Sequence, residues 1–174
     1  MPQLQLDASV PTGDQTRITA VAAKLFASVP DMQAYLDQGE HGYVCKFRNT
    51  VRVSMDHTAY PGARLERPYD AGGQHFDHFW QVPLVGGLTD GNRSFVYLAP
   101  ASLYWKGIHG GGKKSVVERL IHEMVHASIP GIAGDRDPHK PEFYLAEKKW
   151  FAMLDLPFPA VEQIQLERSQ HPLP

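Results

Sequence analysis

Residues 115–129 read SVVERLIHEMVHASI, a run with the apolar spacing of a helix and, inside it, polar groups that a packing helix does not need. Val117, Leu120, Ile121 and Val125 recur at helical spacing. Ser115 stands where an N-cap belongs, and Glu118 completes an S-x-x-E capping box. Pro130-Gly131 supplies the stop. Within this helix lies His122-Glu123-Met124-Val125-His126, an H-E-x-x-H pattern. Residues four apart on a helix sit one turn above each other, so both imidazoles can reach one ion from the same face. Glu123 stands about 100° round the helix from His122 and can lean over that ion without ligating it. There it can take a proton from a water that Zn²⁺ has acidified towards a pKa of about 7. A shuffled chain with nine His and eight Glu would carry the pattern about 2% of the time. Chance is therefore a weak rival to a metal site.

A catalytic zinc takes three protein ligands and keeps one position open. Downstream of His126 the candidates are His139, Glu142 and Glu147. His139 is the preferred third ligand, because it sits between Pro138 and Lys140 in a loop long enough to turn back over the helix. Three neutral imidazoles also leave the centre at +2, a stronger acidifier of water than a site with a carboxylate ligand. Glu147, 21 residues beyond His126, is the rival.

Outward from this helix, the order of elements suggests an α+β fold in one domain spanning residues 1–174, with residues 94–154 as the metal-binding core. Ser94 to Ala99, SFVYLA, reads as the best strand. Phe143, Ala146, Trp150, Phe151 and Leu154 mark the inward stripe of a helix that follows Pro141. Near the N-terminus, residues 1–14 read as a loose arm, followed by a helix from Thr16 and a shorter one from Asp31 to Asp37. Tyr43 to Met55 alternates apolar and polar residues, as one or two strands would. Residues 56–92 hold the turn dipeptides Pro61-Gly62, Gly72-Gly73, Gly86-Gly87 and Asp90-Gly91 and read as a long irregular region.

Composition narrows the partners. Seventeen basic residues against nineteen acidic give a net charge of −2, and the basic ones form no stripe, so nucleic acid is not an expected partner. Cys45 is the only cysteine, which excludes an intrachain disulfide and a Cys-based zinc ribbon. No signal peptide is visible, and no stretch approaches the ~18 apolar residues of a membrane span, so a soluble intracellular protein is expected.

Other polar groups are weaker candidates. His75 and His78 in HFDHFW, His109 in the Gly-rich loop 107–112, and Tyr144 could contact substrate or an oxyanion. The loop GIHGGGK is nearly a phosphate-binding P-loop, but Lys114 stands where Ser or Thr should follow. Asp135 or Asp137 could orient a ligand histidine through its second ring nitrogen.

The stretches FVYLAPASLY, VVERLIHEMVHASI and DPHKPEF together resemble the SprT-like zinc metallopeptidase domain, over roughly residues 94–151. That resemblance implies a zincin-like fold, with a small sheet packed on the HExxH helix. It also implies zinc held by His122, His126 and His139, Glu123 as base, and a peptide or protein substrate. Many relatives carry basic DNA-binding segments or a Cys-rich zinc ribbon, and this chain has neither. The expected function is thus a zinc-dependent metallopeptidase. One alternative is a zincin-fold enzyme acting on a small metabolite by hydrolysis, dehydration or rearrangement; another is a binding module in which zinc is not catalytic.

Overall fold

The computed structural model describes residues 1–61, 87–100, 115–134 and 139–171. Among these the chain is α+β, with five α-helices and a mixed four-stranded sheet. The strands are β1 (Gln3–Leu6), β2 (Thr50–Ser54), β3 (Gly87–Thr89) and β4 (Phe95–Leu98). Their order is β1-β2-β4-β3: β2 lies parallel to both β1 and β4, and β3 runs antiparallel to β4 at the edge. The helices are α1 (Thr12–Ala27), α2 (Val29–Leu36), α3 (Val116–Ser128), α4 (Pro141–Met153) and α5 (Ala160–Gln170).

β4 is buried at all four positions, as an inner strand covered on both faces must be. Helix α3 packs against β3, β4, α1 and α4, so it sits at the middle of the molecule. Its Leu120, Ile121, Met124 and Val125 are all fully buried and join α1 residues Ile18, Ala22 and Leu25 in one core. Phe47 stacks on Trp150 of α4 at 5.8 Å and meets Phe26 of α1 edge-on at 4.8 Å. The Arg119 guanidinium donates to the Ala99 carbonyl at 3.0 Å, which ties α3 to the chain leaving β4.

Several sequence expectations change. The N-terminal arm is not loose over its whole length, because residues 3–6 pair with 50–53 and α1 already begins at Thr12. Its polar alternation, QLQL, is that of an edge strand half open to water. Only residues 50–54 of the 43–55 segment form a strand. The preceding residues are held instead by the Gln33 side chain, which accepts from Cys45 N–H at 2.7 Å and donates to the Tyr43 carbonyl at 3.1 Å. Gly87 opens β3 and is not a turn residue, whereas Asp90-Gly91 does form the β3–β4 turn, with Asp90 Oδ1 accepting from the N–H groups of Ser94 and Phe95. Pro30 sits in the first turn of α2, where its missing N–H costs nothing. No described helix is long and apolar enough to cross a membrane.

The expected capping box is present: Ser115 Oγ accepts from Glu118 N–H at 3.2 Å, and Glu118 Oε2 accepts from Ser115 N–H at 2.9 Å. Ser115→Ala removes the first of these. It should cost about 1 kcal/mol, a fall of roughly 2–4 °C in Tm for a chain of this length, to be read by thermal denaturation followed by circular dichroism. An unchanged Tm would mean that the box contributes nothing to helix α3.

Candidate metal centre

His122 and His126 lie one turn apart on α3, with ring centroids 5.3 Å apart. His139, just ahead of α4, brings its ring to 5.6 Å from His122 and 4.9 Å from His126. One nitrogen of each ring lies within 4.8 Å of one nitrogen of the other two. In a tetrahedral site with Zn–N bonds of about 2.0–2.1 Å, the nitrogens stand about 3.4 Å apart. The set therefore needs only small side-chain rotations to close on an ion. Phe143, fully buried, touches all three rings at 4.6–4.8 Å and forms an apolar floor beneath them.

Two contacts fix His139. Its backbone N–H donates to the Tyr144 hydroxyl at 3.0 Å, and its ring stacks on the Tyr144 ring at 5.9 Å. Tyr144, a candidate for oxyanion or substrate contact, is thus a buried anchor for the loop. The donor chemistry suits zinc. Burial, reinforced by His122 and His139 and opposed by Glu162, holds the His126 pKa well below its ordinary value and keeps that ring neutral.

Glu123 is buried beneath the edge strand. The Thr89 hydroxyl donates to Glu123 Oε2 at 2.7 Å and also lies 3.1 Å from the Glu123 carbonyl oxygen. This carboxylate lies against Gly87: a Cβ there would meet Glu123 Cγ at 2.9 Å, Glu123 Oε1 at 3.0 Å and the Tyr97 carbonyl at 3.0 Å. The Tyr97 carbonyl belongs to the ladder and cannot retreat, so glycine is what lets β3 pass over the helix.

A second layer of carboxylates stands behind His122. Its Nδ1 lies 3.2 Å from Glu162 Oε2 and 3.3 Å from Glu147 Oε1, and both glutamates are buried. Burial, opposed by the His122 ring and reinforced by Glu162, pushes the Glu147 carboxyl up to about 8. Glu147, the rival third ligand, thus stands against Nδ1 of His122. Glu162 was not anticipated from the sequence. Helix α5 turns Glu162 and Leu166 inward and leaves Ile164 half exposed, an inversion of the apolar pattern by which a helix is recognised. The only local signals for α5 are Pro159 ahead of it and an acidic residue in its first turn.

Glu142 pairs with His41 at 3.2 Å and is not grouped with the three imidazoles. His75, His78, His109, Asp135 and Asp137 lie outside the described residues. No family model, no curated protein and no solved structure matches this chain.

Gly87→Ala should cost about 1–3 kcal/mol through overpacking, measured by urea denaturation. Equal midpoints for the two proteins would show that the strand and Glu123 have room to separate, contrary to the packing described here.

Proposed function

We propose that this chain is a zinc-dependent hydrolase with a zincin-like site, and that its substrate is a peptide bond. The observation that carries this reading is the convergence of His122, His126 and His139 over Phe143, with Glu123 on the same helix and held by Thr89. Among the described residues, three imidazoles with a buried carboxylate on the same helix support a catalytic zinc, which keeps a position open, over a closed structural site, which uses four protein ligands. The choice of a peptide bond comes from the SprT-like resemblance of residues 94–151.

The positions of the side chains support the following roles. His122, His126 and His139 would hold the ion. Zinc bound there supplies Lewis acidity, which brings the pKa of a water down to about 7 and polarises a carbonyl. Glu123 accepts the proton of the attacking water as its oxygen bonds to the carbonyl carbon. Glu123 then returns the proton to the amide nitrogen as the carbon–nitrogen bond breaks. Thr89 keeps the Glu123 carboxylate turned toward the sheet edge between these transfers. Phe143 keeps water away from the far side of the imidazoles, so that the charges act in a medium of low dielectric.

Protein purified without added metal should contain about one zinc per chain, measured by elemental analysis, and should lose it to chelators while α3 stays folded. A chain that refuses zinc in titration would end this reading. Glu123→Gln should keep the zinc and lose about 10²–10⁴-fold in turnover on denatured casein; turnover within a factor of two of wild type would remove Glu123 as the base. His139→Ala should weaken zinc binding more than Glu147→Ala, as read by competition with a chromophoric chelator. The reverse order would make Glu147 the third ligand.

A further inference from the structure

A metal-binding histidine has two ring nitrogens, and something must decide which one carries the proton and which one faces the ion. For His122 the deciding groups come from two helices. Glu162 Oε2 of α5 lies 3.2 Å from Nδ1, within hydrogen-bond reach, and Glu147 Oε1 of α4 lies 3.3 Å from the same atom. Both carboxylates are buried, Glu147 completely and Glu162 to within 2%. An ionised carboxylate only accepts, and when buried it must be compensated; Glu162 stands at hydrogen-bond distance from Nδ1 to do so. With the Glu162 carboxylate as acceptor, Nδ1 would carry the proton and the lone pair would fall to Nε2.

We propose that Glu147 and Glu162 form a carboxylate clamp on His122, in which Glu162 accepts the Nδ1 proton and α5 becomes a working part of the metal centre. This rests on the zinc reading above. The clamp does three things. It fixes the tautomer, so that Nε2 is the ligand atom. It fixes the ring rotation about the bond to the helix, because Nδ1 is held between α4 and α5. It places negative charge behind one ligand and so makes that imidazole a better donor to a cation. The two helices are themselves held together close by: Lys148 Nζ of α4 donates to Gln163 Oε1 of α5 at 3.1 Å, and Phe151 meets Phe158 at 5.7 Å. Glu162 is therefore a positioning residue, acting through His122 across 40 positions of sequence.

The test uses the full chain labelled with ¹⁵N-histidine, metal-free and in alkaline buffer, with long-range ¹H–¹⁵N correlation spectra assigned by comparison with His122→Ala. The clamp requires His122 to carry its proton on Nδ1; a proton on Nε2 overturns it. In parallel, zinc affinity is measured by chelator competition for wild type, Glu162→Ala and Glu162→Gln, with far-UV circular dichroism as the check on folding. Glu162→Ala should lose about 10–100-fold in affinity. Glu162→Gln, whose amide oxygen can accept the same hydrogen bond, should recover most of it. Wild-type affinity in Glu162→Ala, or equal losses in both variants, would overturn the proposal. Should Glu162→Ala fail to fold, the wild-type tautomer and Glu162→Gln still decide the matter. A wild-type chain that shows the Nδ1–H tautomer yet binds no zinc would sink the zinc reading and leave the clamp standing.

Discussion

The structure depends on one geometric demand: two imidazoles a single helical turn apart must point at the same place, and a third must reach that place from elsewhere in the chain. A helix meets the first half of the demand without further design, since its pitch stacks positions 122 and 126 on one side. The second half needs tertiary structure. Helix α3 is enclosed by the sheet, α1 and α4, which fixes its rotation through fully buried Leu120, Ile121, Met124 and Val125. Once that rotation is fixed, the chain before α4 has to bring His139 over the same side, and Tyr144 and Phe143, one helical turn further on, hold it there.

The same helix must also carry Glu123 on another side, and this constrains the sheet. Placing a carboxylate between a helix and an edge strand costs desolvation unless the strand supplies a hydrogen bond and leaves room. Thr89 provides the first and Gly87 the second, two residues apart on β3 and therefore on the same side of it. The short antiparallel hairpin of β3 and β4 is thus more than a margin to the sheet. Buried acids recur around α3, with Glu123 on one side and Glu147 and Glu162 on another. Among the described residues four carboxyl side chains are buried, Asp90, Glu123, Glu147 and Glu162, and the burial of the last two makes sense beside the His122 imidazole.

How much of this was legible in the sequence follows from the kind of signal each element carries. Helix α3 and its cap were plain, because the capping box, the apolar spacing and the HExxH pattern all agree on one conformation. Helix α4 was plain for the same reason, with Phe143, Ala146, Trp150 and Phe151 all inward as the period requires. The β1 strand was missed because an edge strand alternates weakly, and QLQL looks like any polar tail. Gly87 was misread as a turn residue because glycine in a sequence signals backbone freedom, whereas here it signals the close approach of Glu123. Helix α5 escaped because one of its two buried residues is a glutamate, and a carboxylate turned inward against a histidine defeats any rule that equates inside with apolar.

The central claim is that one zinc ion sits among His122, His126 and His139, with Glu123 outside its coordination shell. Anomalous diffraction from zinc-loaded crystals, collected on either side of the zinc absorption edge, tests it most directly. The account predicts one strong anomalous peak about 2.0–2.1 Å from a nitrogen of each of the three imidazoles, with Nε2 as the ligand atom of His122 and no carboxylate oxygen of Glu123 or Glu147 at bonding distance. A peak lodged between His122 Nδ1, Glu147 and Glu162, or no ordered peak at the three histidines, would contradict it.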